Sequence, residues 1–416
     1  MSREAKAAHS VAFDFEAIRG QFPILARTIN GRPLAYLDNG ASAQRPLTVI
    51  DAVNDYERHH HANIHRGVHT LSQEATALYE SARDRLVKFI NARSRHEIIF
   101  TRGTTEAINL VAQSYGRANL GPGDEILITH LEHHANIVPW QMLCEQTGAR
   151  LVVVPINQRG EIHLDAAAAL MGAKTRLFAC AQVSNALGTV LPVRQLMAAA
   201  RSRGIVTLVD GAQAIPHFPI DVQSLGCDFF AFSGHKMFGP TGIGVLYGRE
   251  ALLESMPPWQ GGGDMILTVR FAATTYNALP YKFEAGTPNI SGAIGLGAAV
   301  DFFEGLDLVA AHAHENALLH YAESALERIP GLRIIGTAAQ KASLVSFVVA
   351  GVHPHDLGTI LDQEGVAVRT GHHCAMPVME FFNLPATARA SFSFYNTFEE
   401  IDRLIAGIER ACAMFA

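Results

Sequence analysis

Residues that could do chemistry follow short apolar runs in this sequence. Arg102-Gly103-Thr104-Thr105-Glu106 comes directly after the run EIIFT. Small and hydroxyl-bearing residues at the beginning of a helix can bind an anion, because free N–H groups and the helix dipole favour negative charge. The same residues are also ordinary helix caps. No Walker or GxGxxG pattern occurs here, which argues against nucleotide sites of those kinds.

Two further apolar runs lead into single charged residues. Asp210 follows IVTLV and could face a cationic ring nitrogen or a metal, or it could cap a turn. Lys236 follows FFAFS-Gly-His and precedes a glycine-rich segment. Burial lowers the pKa of a lysine amine and makes it a nucleophile toward carbonyls, whereas a lysine on an exposed loop stays protonated. The residues alone leave both interpretations open for each position.

Histidines cluster after the run EILIT, as His130, His133 and His134 with Glu132 between them. Their spacing is neither HExxH nor HxxEH, so the metalloprotease signatures are absent. One imidazole could stack on a planar ring, or each could be an ordinary hydrogen-bonded histidine. The same alternatives apply to the other histidine groups, which are His59–His61, His65, His69, His353 and His355.

Cys374 has a different setting from the other cysteines. Arg369, His372 and His373 stand close to it in sequence and would favour the thiolate, which is the reactive form. Most single cysteines are inert core residues, and the other four lack cationic neighbours immediately beside them: Cys144, Cys180, Cys227 and Cys412. Arg389, further along, could bind a carboxylate through two parallel hydrogen bonds or form a surface salt bridge.

The elements that must position these residues alternate along the chain. Seven short apolar runs are predicted strands, and helical periodicity fills most of the intervals between them. Nearly continuous apolar strands that alternate with helices predict a largely parallel sheet covered on both faces, in the α/β class. Ligands of such sheets bind at the carboxyl ends of the strands. The predicted strands are Glu97–Thr101, Glu125–Thr129, Leu151–Pro155, Arg176–Ala181, Ile205–Val209, Phe229–Ser233 and Ile243–Tyr247.

The pattern changes after about residue 300. A long helical region over Asp301–Arg328 leads into a smaller α+β unit that ends with a helix at Glu399–Met414. We therefore predict an N-terminal segment over residues 1–30 that packs with the small domain, a large domain over 31–300, and a small domain over 301–416 that carries Cys374. No Pro/Ser-rich linker marks the boundary.

Composition excludes several classes of protein. The 416 residues are 49% hydrophobic and carry a net charge of −6, which gives no electrostatic reason to expect nucleic-acid or membrane-surface binding. No stretch approaches about 18 consecutive apolar residues, and the first residues lack the apolar core of a signal peptide. Five scattered cysteines predict neither disulfides nor a zinc knuckle. We expect a cytoplasmic globular protein with reduced thiols.

A phosphate site, an acid for a ring nitrogen, a stacking imidazole and a Schiff-base lysine together suit pyridoxal 5'-phosphate. Their order resembles the class V aminotransferase family of fold-type I pyridoxal-phosphate enzymes, over nearly the whole chain from about Phe22. Within it, the chain is similar to the SufS-type (group II) cysteine desulfurases. The motifs behind this resemblance are LAYLDNGASAQRP, HRGVHTLS, RGTTEAIN, LEHHANIVPWQ, VSNALG, VDGAQA, FSGHKMFGPTGIG, PPWQGGG, FEAGTPN, RTGHHCAMP and RASFSFYN.

The resemblance implies a fold-type I architecture, in which a large cofactor-binding domain has a mostly parallel seven-stranded sheet between helices. It also implies a role for each matching residue. Lys236 would form the Schiff base, His133 would stack on the ring and transfer protons, Asp210 would pair with the ring nitrogen, and Cys374 would be the nucleophile. The remaining implied contacts are Gln213 to the ring oxygen, then Thr104, Thr105, Ser233 and His235 to the phosphate with Thr287 of the neighbouring subunit, and Asn185, Arg369 and Arg389 to the substrate.

The implied reaction converts L-cysteine to L-alanine and leaves a persulfide on Cys374, which supplies sulfur for iron–sulfur cluster assembly. A sulfur acceptor of the SufE or SufU kind and a homodimer are implied as partners. Selenocysteine lyase activity in the same site, on L-selenocysteine, is the nearest alternative. The motif at Asn39-Gly40-Ala41-Ser42 departs from the family in carrying glycine where alanine is frequent, and we expect little effect on ligand access.

Two hypotheses lie outside this family. A metal-dependent hydrolase would use His130, Glu132, His133 and His134, although it leaves Lys236 without a purpose. A non-catalytic scaffold would show neither the yellow colour of a bound cofactor nor turnover. The resemblance itself implies no metal site.

Overall fold

A single seven-stranded sheet forms the centre of the larger part of the molecule. The computed structural model describes residues 14–415. Its strands are β1 (Thr28–Ile29), β2 (Arg32–Pro33), β3 (Ala35–Tyr36), β4 (Ile98–Thr101), β5 (Glu125–Thr129), β6 (Arg150–Val154), β7 (Thr175–Ala181), β8 (Val206–Asp210), β9 (Phe229–Ser233), β10 (Gly244–Gly248), β11 (Ile266–Val269), β12 (Thr274–Tyr276), β13 (Leu332–Ile335), β14 (Leu344–Val349), β15 (Val366–Ala367), β16 (Arg369–Gly371) and β17 (Thr387–Ser391).

Helices connect most of these strands. They are α1 (Phe15–Gly20), α2 (Leu47–Asp55), α3 (Thr70–Phe89), α4 (Thr104–Val111), α5 (Arg117–Asn119), α6 (Val138–Thr147), α7 (Leu164–Leu170), α8 (Val193–Arg201), α9 (Val222–Leu225), α10 (Glu250–Ser255), α11 (Ile290–Glu304), α12 (Leu308–Leu326), α13 (Pro354–Gln363), α14 (Met376–Phe381) and α15 (Phe398–Phe415).

The large sheet confirms the predicted α/β class. Its order is β4-β10-β9-β8-β7-β5-β6, and all seven predicted runs contribute a strand. The neighbours from β9 to β6 pair in parallel, whereas β10 pairs antiparallel with both β4 and β9. The carboxyl ends of the parallel strands therefore meet at one edge, where Thr129, Asp210 and Ser233 are the last residues of β5, β8 and β9.

Helices cover both faces of this sheet, because successive side chains of each strand point to opposite sides. In β9 all five residues are buried. Phe230 and Phe232 pack into one hydrophobic cluster, and Phe229 and Ala231 pack into another on the opposite face. This two-sided burial explains why the strands read as continuous apolar runs in the sequence.

The C-terminal region forms a second, smaller sheet. The antiparallel order is β13-β14-β17-β16, and residues of α12, α13 and α15 pack with it in a separate hydrophobic cluster. The helical region predicted over Asp301–Arg328 is divided, because α11 ends at Glu304 and α12 begins after Asp307. The Asp307 carboxylate accepts hydrogen bonds from the N–H groups of Val309 and Ala310, which fixes the new helix start.

Residues 14–30 contact the C-terminal region at several points. Arg19 pairs with Glu400 at 2.8 Å, and the Phe22 ring packs against Tyr395 with ring centroids 4.5 Å apart. Residues 1–13 of the predicted N-terminal segment lie outside the described residues. The domain boundaries stay a prediction. Between residues 14 and 415, the structure contains no helix that is both long enough and apolar enough to span a membrane.

Candidate active site

A cavity of about 210 Å³ lies at the carboxyl edge of the large sheet. It collects residues that are far apart in the sequence but that each follow a strand or come from the small sheet. Eleven of the residues singled out from the sequence line it: Thr104, Thr105, His133, Asn185, Asp210, Gln213, Ser233, His235, Lys236, Arg369 and Arg389.

The first turn of α4 lines this cavity and suits an anion. The Thr104 N–H donates to the Ser233 hydroxyl at 2.9 Å, and the two hydroxyl oxygens of these residues lie 2.8 Å apart. Gly103 before the helix has φ of 153°, and a Cβ there would lie 3.0 Å from the Ser233 hydroxyl oxygen. The backbone therefore approaches β9 as closely as only glycine permits.

At this edge Asp210 is buried and Lys236 is half-buried. Burial lowers the pKa of Lys236 to about 8, although the carboxylate of Asp210 acts in the opposite direction. Burial also raises the pKa of Asp210, and a hydrogen bond of 2.9 Å from the Ala212 N–H to its carboxylate opposes that rise. The interpretation of Lys236 as an exposed loop lysine is therefore wrong.

The His133 ring is neutral and oriented by the backbone. Its Nδ1 accepts a hydrogen bond of 3.0 Å from the Ala135 N–H, which leaves the proton on Nε2. Burial, followed by the charge of Lys236, lowers the pKa of His133 to about 3. His235 is also neutral, because burial lowers its pKa to about 4. Neutral rings can stack on a planar cofactor without adding a buried charge.

Behind His133, the Glu132 carboxyl group joins two strands. It accepts hydrogen bonds from the Thr129 hydroxyl at 2.5 Å, the Asn136 amide at 2.6 Å and the Ala181 N–H at 3.1 Å. The side chain is fully buried, and burial raises the pKa of Glu132 to about 8. Glu132 therefore positions the His133 turn against β7 and is not free to ligate a metal.

Two arginines reach the cavity from neighbouring strands of the small sheet, where Arg369 and Arg389 stand opposite each other. Arg389 is fully buried and donates to the Asn185 carbonyl at 2.7 Å and to Asp38 at 3.1 Å. Like charges in such a pair are unfavourable unless an anion compensates them. Asp38 supplies one carboxylate, and sequence reasoning missed it although it lies within the motif LAYLDNGAS.

The space beside Arg389 depends on Gly40. A Cβ at Gly40 would lie 3.1 Å from Nη2 of Arg389, which is tighter than an ordinary contact. The Gly40 carbonyl accepts a hydrogen bond of 2.7 Å from the Gln213 amide. Glycine therefore enlarges the cavity slightly at the point where the arginine enters it.

Cys374 lies on a constrained loop beside these arginines. The Cys374 sulfur is 3.5 Å from Nη2 of Arg369, and the residue is half-buried. Both His373 and Cys374 adopt the left-handed backbone conformation, with φ of 52° and 55°. That conformation is uncommon outside glycine and needs support from surrounding contacts.

Residues of the large sheet hold this loop through its carbonyl groups. The Asn185 amide donates to the His373 carbonyl at 2.5 Å, and the His134 N–H donates to the Cys374 carbonyl at 2.7 Å. The His373 ring turns away from the sulfur and bonds the Thr387 hydroxyl at 2.8 Å. The His372 ring, by contrast, contacts Cys374 directly, because its Nδ1 accepts a hydrogen bond of 3.1 Å from the Cys374 N–H.

Thr287 does not line this cavity. It lines another of about 440 Å³, together with Arg102, Trp259 and Gln260. Thr287, which is expected to contact the phosphate in the neighbouring subunit, therefore lies apart from the cofactor residues of its own chain.

The metal-hydrolase constellation does not form. His130 bonds the Pro377 carbonyl at 3.0 Å, and Glu132 is occupied as described. Within residues 14–415, the group able to offer ligand atoms to one ion is His134, His372 and Cys374, whose candidate atoms all lie within 4.8 Å of one another.

The residues present fit pyridoxal 5'-phosphate and its amino-acid substrate. Two buried polar atoms at the cavity have no partner within the described chain, namely Oδ1 of Asn185 and Nε of Arg389. Buried polar groups are normally hydrogen-bonded, so an acceptor and a donor are left for a bound molecule. The anion site at Thr104, the acid at Asp210 and the amine of Lys236 match the phosphate, the ring nitrogen and the aldehyde.

Comparisons with known proteins agree with this geometry. The sequence profile of the family described as aminotransferase class-V matches residues 35–404. A cysteine desulfurase of Serratia proteamaculans (strain 568) is 53% identical over 401 residues, which are 96% of this chain and 98% of that protein.

Two solved structures are similar over almost the whole chain. The cysteine desulfurase CsdA of Escherichia coli has a TM-score of 0.90 and 43% identity, over 97% of this chain and 100% of that one. The apo cysteine desulfurase of Thermococcus onnurineus NA1 has a TM-score of 0.91 and 38% identity, over 96% and 98%.

Proposed function

Because the chain belongs to the class V aminotransferase family, we propose that it is a cysteine desulfurase that converts L-cysteine into L-alanine and keeps the sulfur as a persulfide on Cys374. One observation carries this proposal: a half-exposed thiol lies 3.5 Å from an arginine, beside a cavity that the amine-bearing residue Lys236 lines. The cysteine desulfurases that match at up to 53% identity support it.

The cofactor is pyridoxal 5'-phosphate. Lys236 would hold it covalently, the first turn of α4 with Ser233 and His235 would bind its phosphate, and Asp210 would pair with its ring nitrogen. When bound, the cofactor supplies an electron sink that makes the Cα proton of the amino acid acidic.

The protein's own residues bind the substrate and move its protons. Arg389, with its unpartnered Nε, binds the substrate carboxylate, and the Asn185 amide group offers its free oxygen to the substrate. A lysine with a pKa of about 8 can accept a proton near neutral pH, so Lys236 suits removal of the Cα proton. Neutral His133 can exchange a proton through Nε2.

Cys374 attacks the substrate sulfur as a thiolate. A new S–S bond forms while the Cβ–S bond of the substrate breaks, and its electron pair leaves with the three-carbon fragment. Protonation of that fragment gives alanine, and Cys374 keeps the persulfide. Arg369 places a guanidinium nitrogen 3.5 Å from the attacking sulfur.

Replacing the nucleophile tests the reaction. We expect Cys374→Ser to abolish alanine release from L-cysteine, while Cys412→Ser, which changes a cysteine of α15, leaves it unchanged. Absorbance of the bound cofactor in both variants controls for correct loading. Normal alanine release by Cys374→Ser would refute the nucleophile assignment.

We further propose a homodimer. Thr287 lies outside its own chain's cofactor cavity, and the β11–β12 hairpin exposes the apolar side chains of Leu267, Val269 and Phe271. Exposed apolar patches of this kind mark interaction surfaces. Light scattering should give twice the chain mass. Phe271→Asp should lower both the dimer fraction and the affinity of the protein for pyridoxal 5'-phosphate. A fully active monomer would refute the proposal.

The persulfide must pass to a partner. We propose a small acceptor protein of the SufE or SufU kind, in a cytoplasmic route to iron–sulfur clusters, because an exposed persulfide has to be transferred before it is oxidised further. All five cysteines are free thiols, which suits such a compartment. Incubating the labelled Cys374 persulfide with each acceptor should transfer the label to one of them, and retention of the label with both would refute this assignment.

A further inference from the structure

A cavity of about 250 Å³ lies between α12 and the loop that follows β8, apart from the active site. Its lining is mostly apolar and includes Pro216, Phe218, Phe303 and Leu308. Val309 also lines it and is largely exposed, with 82% of its surface accessible. A cavity of this size accepts a small molecule rather than a drug-sized ligand.

Polar groups inside this apolar lining are incompletely paired. Glu315 is only 2% exposed, and one of its oxygens lies 2.8 Å from Nδ1 of His217. The other carboxylate oxygen of Glu315 has no partner within residues 14–415, and neither has Nδ1 of His312. All three of these residues line the cavity.

A buried acceptor without a donor is unfavourable, and native structures rarely keep one without a ligand or a water molecule. The free oxygen belongs to a carboxylate, so its best partner is an N–H group that carries positive charge. The Phe218 and Phe303 rings favour an aromatic or branched apolar body for the same molecule. A carboxylate or phosphate would be repelled by Glu315.

We propose that this cavity binds a small organic cation, with its apolar body among Phe218, Phe303 and Leu308 and its N–H group donating to the free oxygen of Glu315. The arrangement combines a mostly apolar lining with a few oriented polar atoms, as small-molecule sites do. The site is independent of the proposed desulfurase reaction, since none of its residues lines the active-site cavity.

Three probes of one shape test the charge requirement on the cofactor-loaded enzyme. Benzamidinium is cationic, benzamide is neutral and benzoate is anionic. We expect calorimetry or ligand-observed NMR to show saturable binding of benzamidinium, weaker binding of benzamide and no binding of benzoate. A crystal soaked with benzamidinium should show the amidinium group at Glu315. Equal binding of benzoate, or no saturable binding of benzamidinium, would overturn the proposal.

Two variants locate the site. Glu315→Gln keeps the shape but removes the charge, and should weaken benzamidinium binding by at least about tenfold. Because this variant also disturbs the pair with His217, a second one changes the exposed residue at the entrance. Val309→Arg should weaken the same binding by repulsion, whereas the matched Val309→Gln should not. Unchanged affinity in both Glu315→Gln and Val309→Arg would place the probe elsewhere and refute the site.

Discussion

The His373 side chain should make the nucleophile loop sensitive to acid. It is 1% exposed, its ring bonds the Thr387 hydroxyl, and its backbone carries the first of two consecutive left-handed residues. Burial, followed by the positive charges of Arg389 and Arg369, lowers the pKa of His373 to about 3. Protonating this ring therefore opposes the fold that holds Cys374.

The size of the effect follows from linkage. An unfolded histidine has a pKa of about 6.5, so below that value the unfolded chain binds a proton that the folded chain rejects. The stability contributed by neutral His373 is complete above that pKa and is lost as the pH falls toward the folded value. At about 1.4 kcal/mol per pH unit, lowering the pH from 7 to 5 should reduce the contribution of His373 to the unfolding free energy by about 2 kcal/mol.

The variant His373→Asn tests this value. Asparagine tolerates the left-handed backbone but does not titrate, so the variant should lose about 2 kcal/mol less than the parent between pH 7 and pH 5 in urea unfolding. The matched control is His320→Asn at an exposed position of α12, which should show the parent's pH dependence. In parallel, alkylation of Cys374 by iodoacetamide should become less sensitive to acid in His373→Asn.

Two results would refute the reasoning. One is an identical pH dependence of unfolding in the parent and His373→Asn. The other is a control variant that loses the dependence to the same extent, which would show that exposed histidines produce it.

Further predictions concern three other residues. A carboxyl pKa raised to about 8 makes the folded parent about 1.4 kcal/mol less stable per unit of rising pH between about pH 4.5 and pH 8. Glu132→Gln should therefore reduce this fall in stability. If urea unfolding of the variant showed the same change from pH 6 to pH 8 as the parent, the prediction would be contradicted. Arg389→Lys should raise the KM for L-cysteine about tenfold or more, since an ammonium cannot form two parallel hydrogen bonds with a carboxylate. Initial rates at varied L-cysteine concentration give this KM, and an unchanged KM would contradict the prediction. Arg369→Met should slow alkylation of Cys374 at neutral pH by about tenfold, as expected for losing one charge-assisted contact; an unchanged rate would remove Arg369 from thiolate stabilisation.

Much of the fold could be predicted because the strands are buried on both faces. Phe229–Ser233 and Glu125–Thr129 are strands with the predicted bounds, and the other runs differ by one residue at one end or at both ends. The antiparallel direction of β10 could not be predicted, since its apolar run looks like those of its parallel neighbours. The break before α12 depends on one capping side chain, Asp307, within a continuous helical pattern.

The site could be predicted as a set of residue types but not as a set of contacts. Strand ends locate Asp210 and Lys236, because parallel strands share one edge. No spacing rule brings Asp38 to Arg389, since 351 positions separate them. The orientation of the His373 ring could not be predicted either, because a histidine beside a cysteine in sequence need not face it in the structure. The sequence offers Glu132 as a candidate metal ligand, but three hydrogen-bond donors occupy its carboxyl group in the structure.

The nucleophile lies where the chain passes from one hydrophobic core into the other. β16 ends in the small sheet at Gly371, whereas Ala375, Val378 and Met379 pack in a cluster of the large sheet. Exchanging C-terminal regions between related enzymes would therefore separate the Cys374 loop from the large-sheet residues that it packs against. The donor from His134 is a backbone N–H, which other residues also supply, whereas the donor from Asn185 is a side-chain amide. A chimera that imported the Cys374 loop without the matching Asn185 segment would carry the thiol but leave the His373 carbonyl without its donor, so that segment has to be transplanted with it.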